Sequence, residues 1–515
     1  MKQYETVELT FHGPIFEGRC VDIDFNAAFS GNGQEQNVKG FYAGNGIYQV
    51  RFLPKSAGTY TYRLTGCIEE EGSLEIEPAD AGRHGMVKAQ GEHFCYEDGT
   101  PFYPFGTTVY ALIHQPEELV DQTMDSLSKA PFNKLRFCVF PKSYDYNYNE
   151  PALYAFEKDA EGNWDVGRPC FAFWDELEKR IRELDRMGIQ ADLILFHPYD
   201  RWGFDSLTQK ENLAYLDYAI RRLSAFPNIW WSLANEYDVS GKKLEDWEEI
   251  EAFVAEHDPW HHLLSCHNCF PIWDASRKNI THLSIQTKAF WNLAKLRETY
   301  HKPVVLDECC YEGNLPMYWG SISGHEMARR FWRAVAMGTY CTHGETFLDP
   351  GQDILWWAKG GCLKGESPAR IAFLRQILES LPGPLEAIPP QIEGARNVAS
   401  MPKEQQEEIF SHCEPIFRNV VTAVSRMSEQ EMQDFLAAEC YYQGHCKEDC
   451  YLYYYDTRTC AEDTITLPEN GMYRVEVIDT WNMTRETVYE RKNGRITITL
   501  PGREDMAVLA VRIED

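Results

Sequence analysis

Residues 303–312, PVVLDECCYE, and residues 228–238, NIWWSLANEYD, each place acidic side chains directly after a short apolar run. Between residues 85 and 382 the sequence contains six more such runs: FYPFGTTVYAL, NKLRFCVF, ADLILFHPY, HLLSCHN, HLSIQT and GTYCTHGETFL. Amphipathic stretches such as FWDELEKRIRELDRMG, with apolar residues at helical spacing, separate many of them. Eight alternations of strand and helix over about 300 residues predict an α/β protein with a (β/α)8 TIM barrel. A doubly wound sheet is the competing topology, but no G-x-G-x-x-G motif follows a strand.

The segments on either side of the predicted barrel have a different pattern. Residues 1–84 contain short alternating runs and an Asn45-Gly46 turn, which predict an N-terminal β-sandwich. Residues 450–515 show the same features and predict a C-terminal β-sandwich. Residues 383–449 begin with a proline-rich stretch and continue as a helical segment. The predicted domains are therefore 1–84, 85–382, 383–449 and 450–515.

Composition limits the classes of partner. Acidic residues outnumber basic residues 79 to 50, for a formal charge of −29. This charge argues against nucleic acid and against anionic membranes as partners, because both require clustered positive charge. No run of 18 apolar residues occurs, and MKQYETVELTFHGP lacks the apolar core of a signal peptide, so we expect a cytoplasmic protein. A homo-oligomer is compatible with the sequence.

Cysteines offer one alternative interpretation, that of a metal site. The chain has 16 cysteines, and a cytoplasmic protein would keep them reduced. A structural zinc site needs two C-x2-C pairs or a matching histidine pair. The cysteines nearest to such a pattern do not meet this requirement: Cys266, Cys269, Cys309 and Cys310. We therefore predict buried thiols, no metal and no cofactor.

Glu236 and Glu308 are the predicted catalytic pair. They end the fourth and seventh apolar runs, and those strands lie across the mouth of a barrel from each other. Cleavage of a glycosidic bond needs two carboxyl groups, one to protonate the leaving oxygen and one to attack the anomeric carbon or activate water. Asp307 precedes Glu308, and a register shift of one residue would turn Asp307 toward the centre instead. The sequence leaves that choice open.

These residues resemble a known group of enzymes. The Asn235-Glu236 pair, the glutamate at 308, and Asn133 with Arg136 in FNKLRF resemble the pattern of clan A retaining glycoside hydrolases. More narrowly, PFYPFGTTVYAL and WWSLANEYD resemble apiosidase-like hydrolases, which are also described as endoglucanases. The resemblance implies that Glu236 is the acid/base and Glu308 the nucleophile. It also implies that Asn235 binds the sugar 2-hydroxyl and that Arg136 lies beneath the nucleophile.

Further substrate-binding residues are expected at the carboxyl ends of the strands. Histidines there could orient carboxylates or sugar hydroxyls, and aromatic rings could stack on sugar faces. The candidates are His197, Tyr199, Trp202, His267 and Trp356. Residues 141–170 form an insertion after the second strand that is too long for an ordinary connection, and we expect it to form a wall of the cleft.

Three functions are compatible with these features. The first is a retaining glycosidase that acts on oligosaccharides or small glycosides. The second is a non-catalytic carbohydrate-binding or scaffold protein on the same barrel. The third, a metal-dependent hydrolase, would need an H-x-H motif on the first strand, and TTVYALIH does not contain one.

Overall fold

The computed structural model describes residues 1–348, 355–439 and 441–514. Within these residues eight parallel strands form one sheet: β1 (Phe105–Thr108), β2 (Lys134–Cys138), β3 (Gln190–Phe196), β4 (Ile229–Ala234), β5 (Leu264–Ser265), β6 (Leu283–Gln286), β7 (Val304–Glu308) and β8 (Tyr340–His343). Their order in the sheet is 5-4-3-2-1-8-7-6. Between β5 and β6 the backbone N–H of Thr281 donates to the carbonyl of Leu264 at 2.9 Å, which links the two ends of that order. The predicted (β/α)8 barrel is confirmed.

The strands are apolar runs because both of their faces are covered. All seven residues of β3 and all six of β4 are buried. The longer helices of this region are Glu117–Lys129, Phe171–Arg186, Gln209–Leu223, Leu244–His257, Leu293–Tyr300, Gly324–Ala336 and Ser367–Glu379, and Trp356–Lys359 forms a single turn. In Phe171–Arg186 the predicted apolar stripe, which includes Trp174 and Ile181, is buried as expected.

The alternation of strand and helix breaks between β5 and β6. No α-helix occurs in residues 266–282, all of which are described, so the expectation of eight regular repeats was wrong at this point. Pro271 interrupts the segment, and the Asp274 carboxylate accepts from the backbone N–H of Ser276 at 3.0 Å. Such side-chain bonds to nearby backbone stabilise turns in place of a helix. The segment is therefore an irregular loop at the carboxyl end of β5.

The N-terminal residues form two antiparallel sheets with a common core. One sheet contains Val7–His12, Ile47–Phe52 and Phe41–Gly44, and the other contains Gln34–Lys39, Phe25–Gly31, Gly58–Gly66 and Glu70–Ile76. The rings of Phe29 and Phe52, one from each sheet, stack with their centroids 4.4 Å apart. Asn45 and Gly46 have φ angles of 51° and 73°, as the predicted hairpin turn requires.

The C-terminal residues contain helices followed by antiparallel sheet. The helices are Gln391–Ser400, Lys403–Ser411, Pro415–Val424 and Glu429–Glu439. A six-stranded sheet follows, in the order Glu386–Ala387, Tyr442–Cys446, Cys450–Tyr454, Met506–Ile513, Met472–Asp479 and Thr484–Lys492. Strands Glu462–Leu467 and Gly494–Thr499 form a separate pair. The predicted C-terminal β-structure is confirmed.

The chain divides into two compact units, and neither unit is one continuous stretch of the sequence. One unit contains residues 1–287, 297–327 and 340–369, and the other contains 288–296, 328–339 and 370–515. The four domain boundaries stay a prediction. Among the described residues, no helix is long and apolar enough to span a membrane.

Candidate active site

Two glutamates meet at the carboxyl end of the barrel. Glu236 is the second residue after β4, and Glu308 is the last residue of β7. With its amide oriented to satisfy its hydrogen bonds, Gln286 Nε2 at the end of β6 donates to Glu236 Oε1 at 3.2 Å and to Glu308 Oε2 at 2.9 Å. Those two oxygens can be no farther apart than the sum of these distances, about 6 Å. The pair expected from the sequence is therefore brought together, with exposed fractions of 6% and 9%.

A β-bulge determines which of the two adjacent acids faces the mouth. Gln286 lies opposite Glu308, and the preceding register leaves Asp307 as an extra residue on β7. The Asp307 carboxylate is fully buried, where it contacts Lys134 Nζ at 2.7 Å and accepts from Ser284 Oγ at 2.6 Å. Glu308, and not Asp307, therefore belongs to the site, which answers the question that the sequence left open.

A layer of buried charges supports the site from within the barrel. Lys134 Nζ contacts both Asp307 and Asp192, the latter at 2.6 Å. Arg136 lies on the same strand, with Nε 3.6 Å from Asp192 and Nη1 3.7 Å from Glu308 Oε1. Because all these charges are removed from water, each requires its partners to stay in place. The layer fixes the guanidinium of Arg136 beside Glu308, where the resemblance placed it.

Each glutamate accepts a hydrogen bond from a tyrosine. The Tyr110 hydroxyl, just beyond β1, donates to Glu308, and Tyr199, beyond β3, donates to Glu236. Tyr110 also donates to Asn235 Oδ1 at 3.0 Å. Tyr199 and Asn235 were expected in the site, and both lie there. The two phenols stabilise the ionised form of the carboxyl groups that they contact.

One ammonium group contacts the faces of both tyrosines. Lys142 Nζ lies 3.4 Å from the ring centroid of Tyr110 and 4.2 Å from that of Tyr199. The rings of Trp357 and Tyr144 lie farther away, at 5.4 and 5.7 Å. Burial lowers the pKa of Lys142, and the cation–π contacts favour its charged form. Lys142 belongs to the insertion of residues 141–170, so at least this part of the insertion lines the site.

The two carboxyl groups have pKa values shifted in opposite directions. Burial, followed by the charge of Glu308, raises the pKa of Glu236 to about 6. Burial also acts to raise the pKa of Glu308. The charges of Arg136 and Lys142 and the hydrogen bond from Tyr110 outweigh that effect and hold the pKa of Glu308 below its usual range. One group is thus a proton donor near neutral pH and the other is a carboxylate, the division of roles that acid/base chemistry needs.

The backbone at Glu236 is strained. Its φ of 56° lies in the left-handed region, which is uncommon for a residue with a side chain. The Glu236 N–H points to His267 Nδ1 at 3.4 Å, and the N–H of Tyr237 donates to the His267 carbonyl at 3.0 Å. Burial lowers the pKa of His267 to about 3, so the imidazole is neutral. On this side burial, followed by the charge of Glu236, raises the pKa of the Cys269 thiol.

Three expected substrate-binding residues have other contacts. His197 Nε2 bonds the Phe140 carbonyl at 3.1 Å, and burial lowers its pKa to about 4. Trp202 Nε1 donates to Glu150 at 2.8 Å on the loop surface. Trp356 is 2% exposed, and its indole donates to Thr107 Oγ1 at 2.9 Å. The structure does not support Trp356 as a stacking surface, because its ring is used in packing.

Sequence reasoning did not select four residues of the site. Tyr110 and Gln286 stand at strand ends, so their position alone could have indicated them. Lys142 lies on a loop and matched no motif, and Cys269, also on a loop, was considered only as a possible metal ligand. Trp357, and not its neighbour, joins the aromatic group around Tyr110, with ring centroids 5.6 Å apart. Position at a strand end was thus the only usable signal.

A (β/α)8 barrel with two carboxyl groups converging from β4 and β7 is the arrangement of a glycoside hydrolase. The chain belongs to the apiosidase-like family, whose catalytic-domain model matches residues 88–380. Models of two domains of unknown function, DUF5060 and DUF5605, match residues 1–66 and 439–513.

Solved structures agree with this classification. A "putative glycoside hydrolase" from Bacteroides vulgatus ATCC 8482 is 34% identical over 99% of both chains, with a TM-score of 0.84. A glycoside hydrolase family 5 protein from the same organism has a TM-score of 0.59 at 15% identity, and the match covers 83% of this chain and 94% of the other. The second likeness shows the fold alone. A comparison with curated proteins found no match.

Proposed function

We propose that the protein is a retaining glycosidase that cleaves O-glycosidic bonds of oligosaccharides or small glycosides. The observation that carries this proposal is the Gln286 amide shared by Glu236 and Glu308. It limits the separation of Glu236 Oε1 and Glu308 Oε2 to at most about 6 Å. Retaining enzymes have carboxyl groups about 5–5.5 Å apart, whereas inverting enzymes need about 6.5–9.5 Å to admit a water molecule. The separation therefore supports a double displacement.

In the first step Glu236 donates its proton to the leaving-group oxygen while Glu308 attacks the anomeric carbon. The bond to the leaving group breaks, and a covalent glycosyl-enzyme forms through a Glu308 oxygen. In the second step Glu236, now ionised, takes a proton from water, and the water oxygen displaces Glu308. Two inversions at one carbon give net retention.

The surroundings of each carboxyl group support its role. The nucleophile must be ionised, and Arg136 and the Tyr110 hydroxyl both stabilise a negative charge on Glu308. The acid must hold a proton near neutral pH, and the pKa of about 6 for Glu236 meets that need. A barrel that only bound sugars would have no use for two adjacent carboxyl groups with opposite pKa shifts.

Substrate contacts follow from the same geometry. Asn235 accepts from Tyr110 and Arg136, which leaves its side-chain amide N–H groups as donors for a sugar hydroxyl such as the 2-hydroxyl. We also propose a cytoplasmic location, which would restrict the substrates to short glycosides because long polymers do not enter the cell.

The test compares Glu236→Gln and Glu308→Gln with wild type on a panel of nitrophenyl glycosides. We expect Glu308→Gln to lose turnover. In Glu236→Gln the turnover should fall by about 10²–10⁴-fold, the usual contribution of acid/base catalysis. Glu256→Gln is the matched control, because this exposed glutamate lies on the outer helix Leu244–His257. Product configuration is followed by NMR.

Two results would contradict the proposal. Inversion of the anomeric centre would exclude the double displacement. Sugar binding without hydrolysis across the panel, unaffected by either glutamine variant, would instead favour the non-catalytic carbohydrate-binding protein.

Azide should restore turnover to Glu236→Gln and give a glycosyl azide of retained configuration, because azide needs no base to attack the glycosyl-enzyme.

A further inference from the structure

The loop after β5 carries an aromatic ring that the catalytic groups do not use. Phe270 is 77% exposed, the largest value among the large hydrophobic side chains of the described residues. A single exposed apolar residue is common and by itself means little. Here, however, the backbone N–H groups of Cys269 and Phe270 both donate to Asp238, two residues after Glu236. The loop that carries the ring thus lies beside the segment that follows Glu236, on the side of the proposed acid/base.

The backbone of this loop is fixed although the ring is exposed. The Asp238 carboxylate, two residues after Glu236, accepts from the N–H groups of Cys269 and Phe270 at 2.6 and 2.7 Å. The Phe270 carbonyl accepts from Asn268 Nδ2 at 3.2 Å. Asn268 Oδ1 in turn accepts from the backbone N–H of Gln286 at 3.2 Å. The residue is therefore tied both to the segment after Glu236 and to β6.

An exposed ring on a fixed backbone differs from an ordinary surface side chain. A ring on a mobile loop would lose conformational entropy on binding a ligand, whereas a ring on a fixed backbone has already lost part of it. An exposed apolar surface on a preorganised support is characteristic of a binding site. The benzyl ring has no hydrogen-bond donor or acceptor, so it suits a ligand with a flat apolar face.

The chemistry of the site identifies which part of the substrate meets the ring. In a double displacement the acid/base protonates the leaving-group oxygen, so the leaving group lies on the side of that residue. The nucleophile contacts the sugar that is retained on the enzyme. A ring on a loop anchored beside Glu236 is consequently on the side of the leaving group and not on that of the bound sugar.

We infer that Phe270 forms the binding platform for the leaving group, and that this platform takes an uncharged sugar ring or aromatic aglycone by stacking. The inference rests on the proposed function. It predicts that the protein prefers glycosides with a ring immediately beyond the cleaved bond. It also predicts that the same platform binds acceptor sugars, because an acceptor attacks the glycosyl-enzyme from the position that the leaving group vacated.

The experiment separates the leaving group from the rest of the substrate. For a sugar that wild type hydrolyses, the nitrophenyl glycoside and the glycosyl fluoride carry the same glycone, but fluoride offers no ring to the platform. We expect Phe270→Ala to lower kcat/KM for the nitrophenyl glycoside about tenfold, the size of one aromatic contact. The value for the fluoride should change less than about twofold. Phe270→Tyr keeps the ring and should retain activity on both.

A second measurement uses the acceptor. With the glycosyl fluoride as donor and a nitrophenyl glycoside as acceptor, Phe270→Ala should lower the ratio of transfer product to hydrolysis product, because both products arise from one intermediate. Ile15→Ala is the control, since Ile15 is 73% exposed in the N-terminal region. This control should leave every ratio unchanged.

The outcomes are distinguishable. A Phe270→Ala protein that loses activity equally on both substrates, or on neither, overturns the platform while wild-type hydrolysis still supports the proposed function. A wild-type protein that hydrolyses no glycoside overturns the proposed function and the platform with it. Because the ring is exposed, thermal unfolding should be the same in wild type and variant, which excludes misfolding as the cause of a loss.

Discussion

Lys142 offers the sharpest test of the electrostatics of the site. Its ammonium lies against the ring faces of Tyr110 and Tyr199, whose hydroxyls donate to Glu308 and Glu236 respectively. One tyrosine ring thus separates a single positive charge from each carboxyl group. Lys142→Met removes the charge and keeps a long apolar side chain. We expect this change to move the whole pH profile of kcat/KM to higher pH.

The direction and size of the expected shift in the pH profile follow from the geometry. A positive charge favours ionised carboxyl groups, so its removal raises the pKa values of both Glu308 and Glu236. A unit charge at about 7 Å in an effective dielectric constant of about 20 contributes about 2 kcal/mol, or between one and two pKa units. The acidic limb, set by ionisation of Glu308, and the basic limb, set by Glu236 near pH 6, should therefore shift in the same direction. We expect a shift of about one pH unit in each limb.

The assay is kcat/KM for one nitrophenyl glycoside from pH 4 to 9, which reports the ionisations of the free enzyme. Lys142→Arg keeps the charge and should keep both limbs in place. Lys158→Met is the matched control, because Lys158 lies over the Trp164 ring at 4.7 Å in the same insertion but is exposed. The other charged or titratable groups facing Lys142, including Arg136 and Cys138, are the same in every variant. If Lys142→Met lowers kcat/KM but leaves both limbs of the pH profile in place, or shifts only one limb, the reasoning is refuted.

Three further predictions concern single residues. Tyr199→Phe removes a donor to the proposed acid, so the basic limb alone should rise, and an unshifted basic limb in the pH profile would contradict the assigned hydrogen bond. Burial raises the pKa of Glu345 to about 7, so stability should fall as pH rises from about 4.5 to about 7, by up to about 3 kcal/mol. Glu345→Gln should abolish that fall in denaturant unfolding at pH 5 and 8, whereas equal slopes in both proteins would exclude the shift. Gly360→Ala should lower Tm more than Gly162→Ala, since both have φ near 90° but only the first places a Cβ 2.2 Å from Thr123 Oγ1. Equal losses of Tm would show that backbone strain alone matters.

The sequence was sufficient to predict features that depend on a single strand. A buried parallel strand is a short apolar run, and a charged residue directly after it must lie at the carboxyl end. That rule placed Glu236 and Glu308 at the strand ends where the structure has them, after β4 and at the end of β7. The same rule located Asn235 and Tyr199. Fold class and the position of acidic residues at strand ends are therefore predictable from local pattern.

Features that depend on several distant segments were not predictable in this way. Apart from the nearby Tyr144, the ring contacts of Lys142 come from three separate parts of the chain, namely Tyr110, Tyr199 and Trp357. No spacing within one segment encodes such a group. The position of Trp357 was not predictable for a related reason. Residues 356–359 form a single helical turn, so neighbouring side chains diverge, and only the surroundings decide which ring reaches the site.

The backbone irregularities next to the two glutamates explain why an acid pair can be held so closely. In a regular strand Asp307 and Glu308 would point to opposite faces, and one of them would leave the barrel interior. The bulge lets Asp307 bind Lys134 within the barrel while Glu308 turns to the mouth. At the other wall the left-handed backbone of Glu236 turns its side chain toward the same point. Each departure costs free energy, of order 1–3 kcal/mol for a left-handed residue. The repulsion between the two carboxyl groups adds to that cost, so the arrangement persists because the buried charges, the tyrosine donors and Lys142 favour it together.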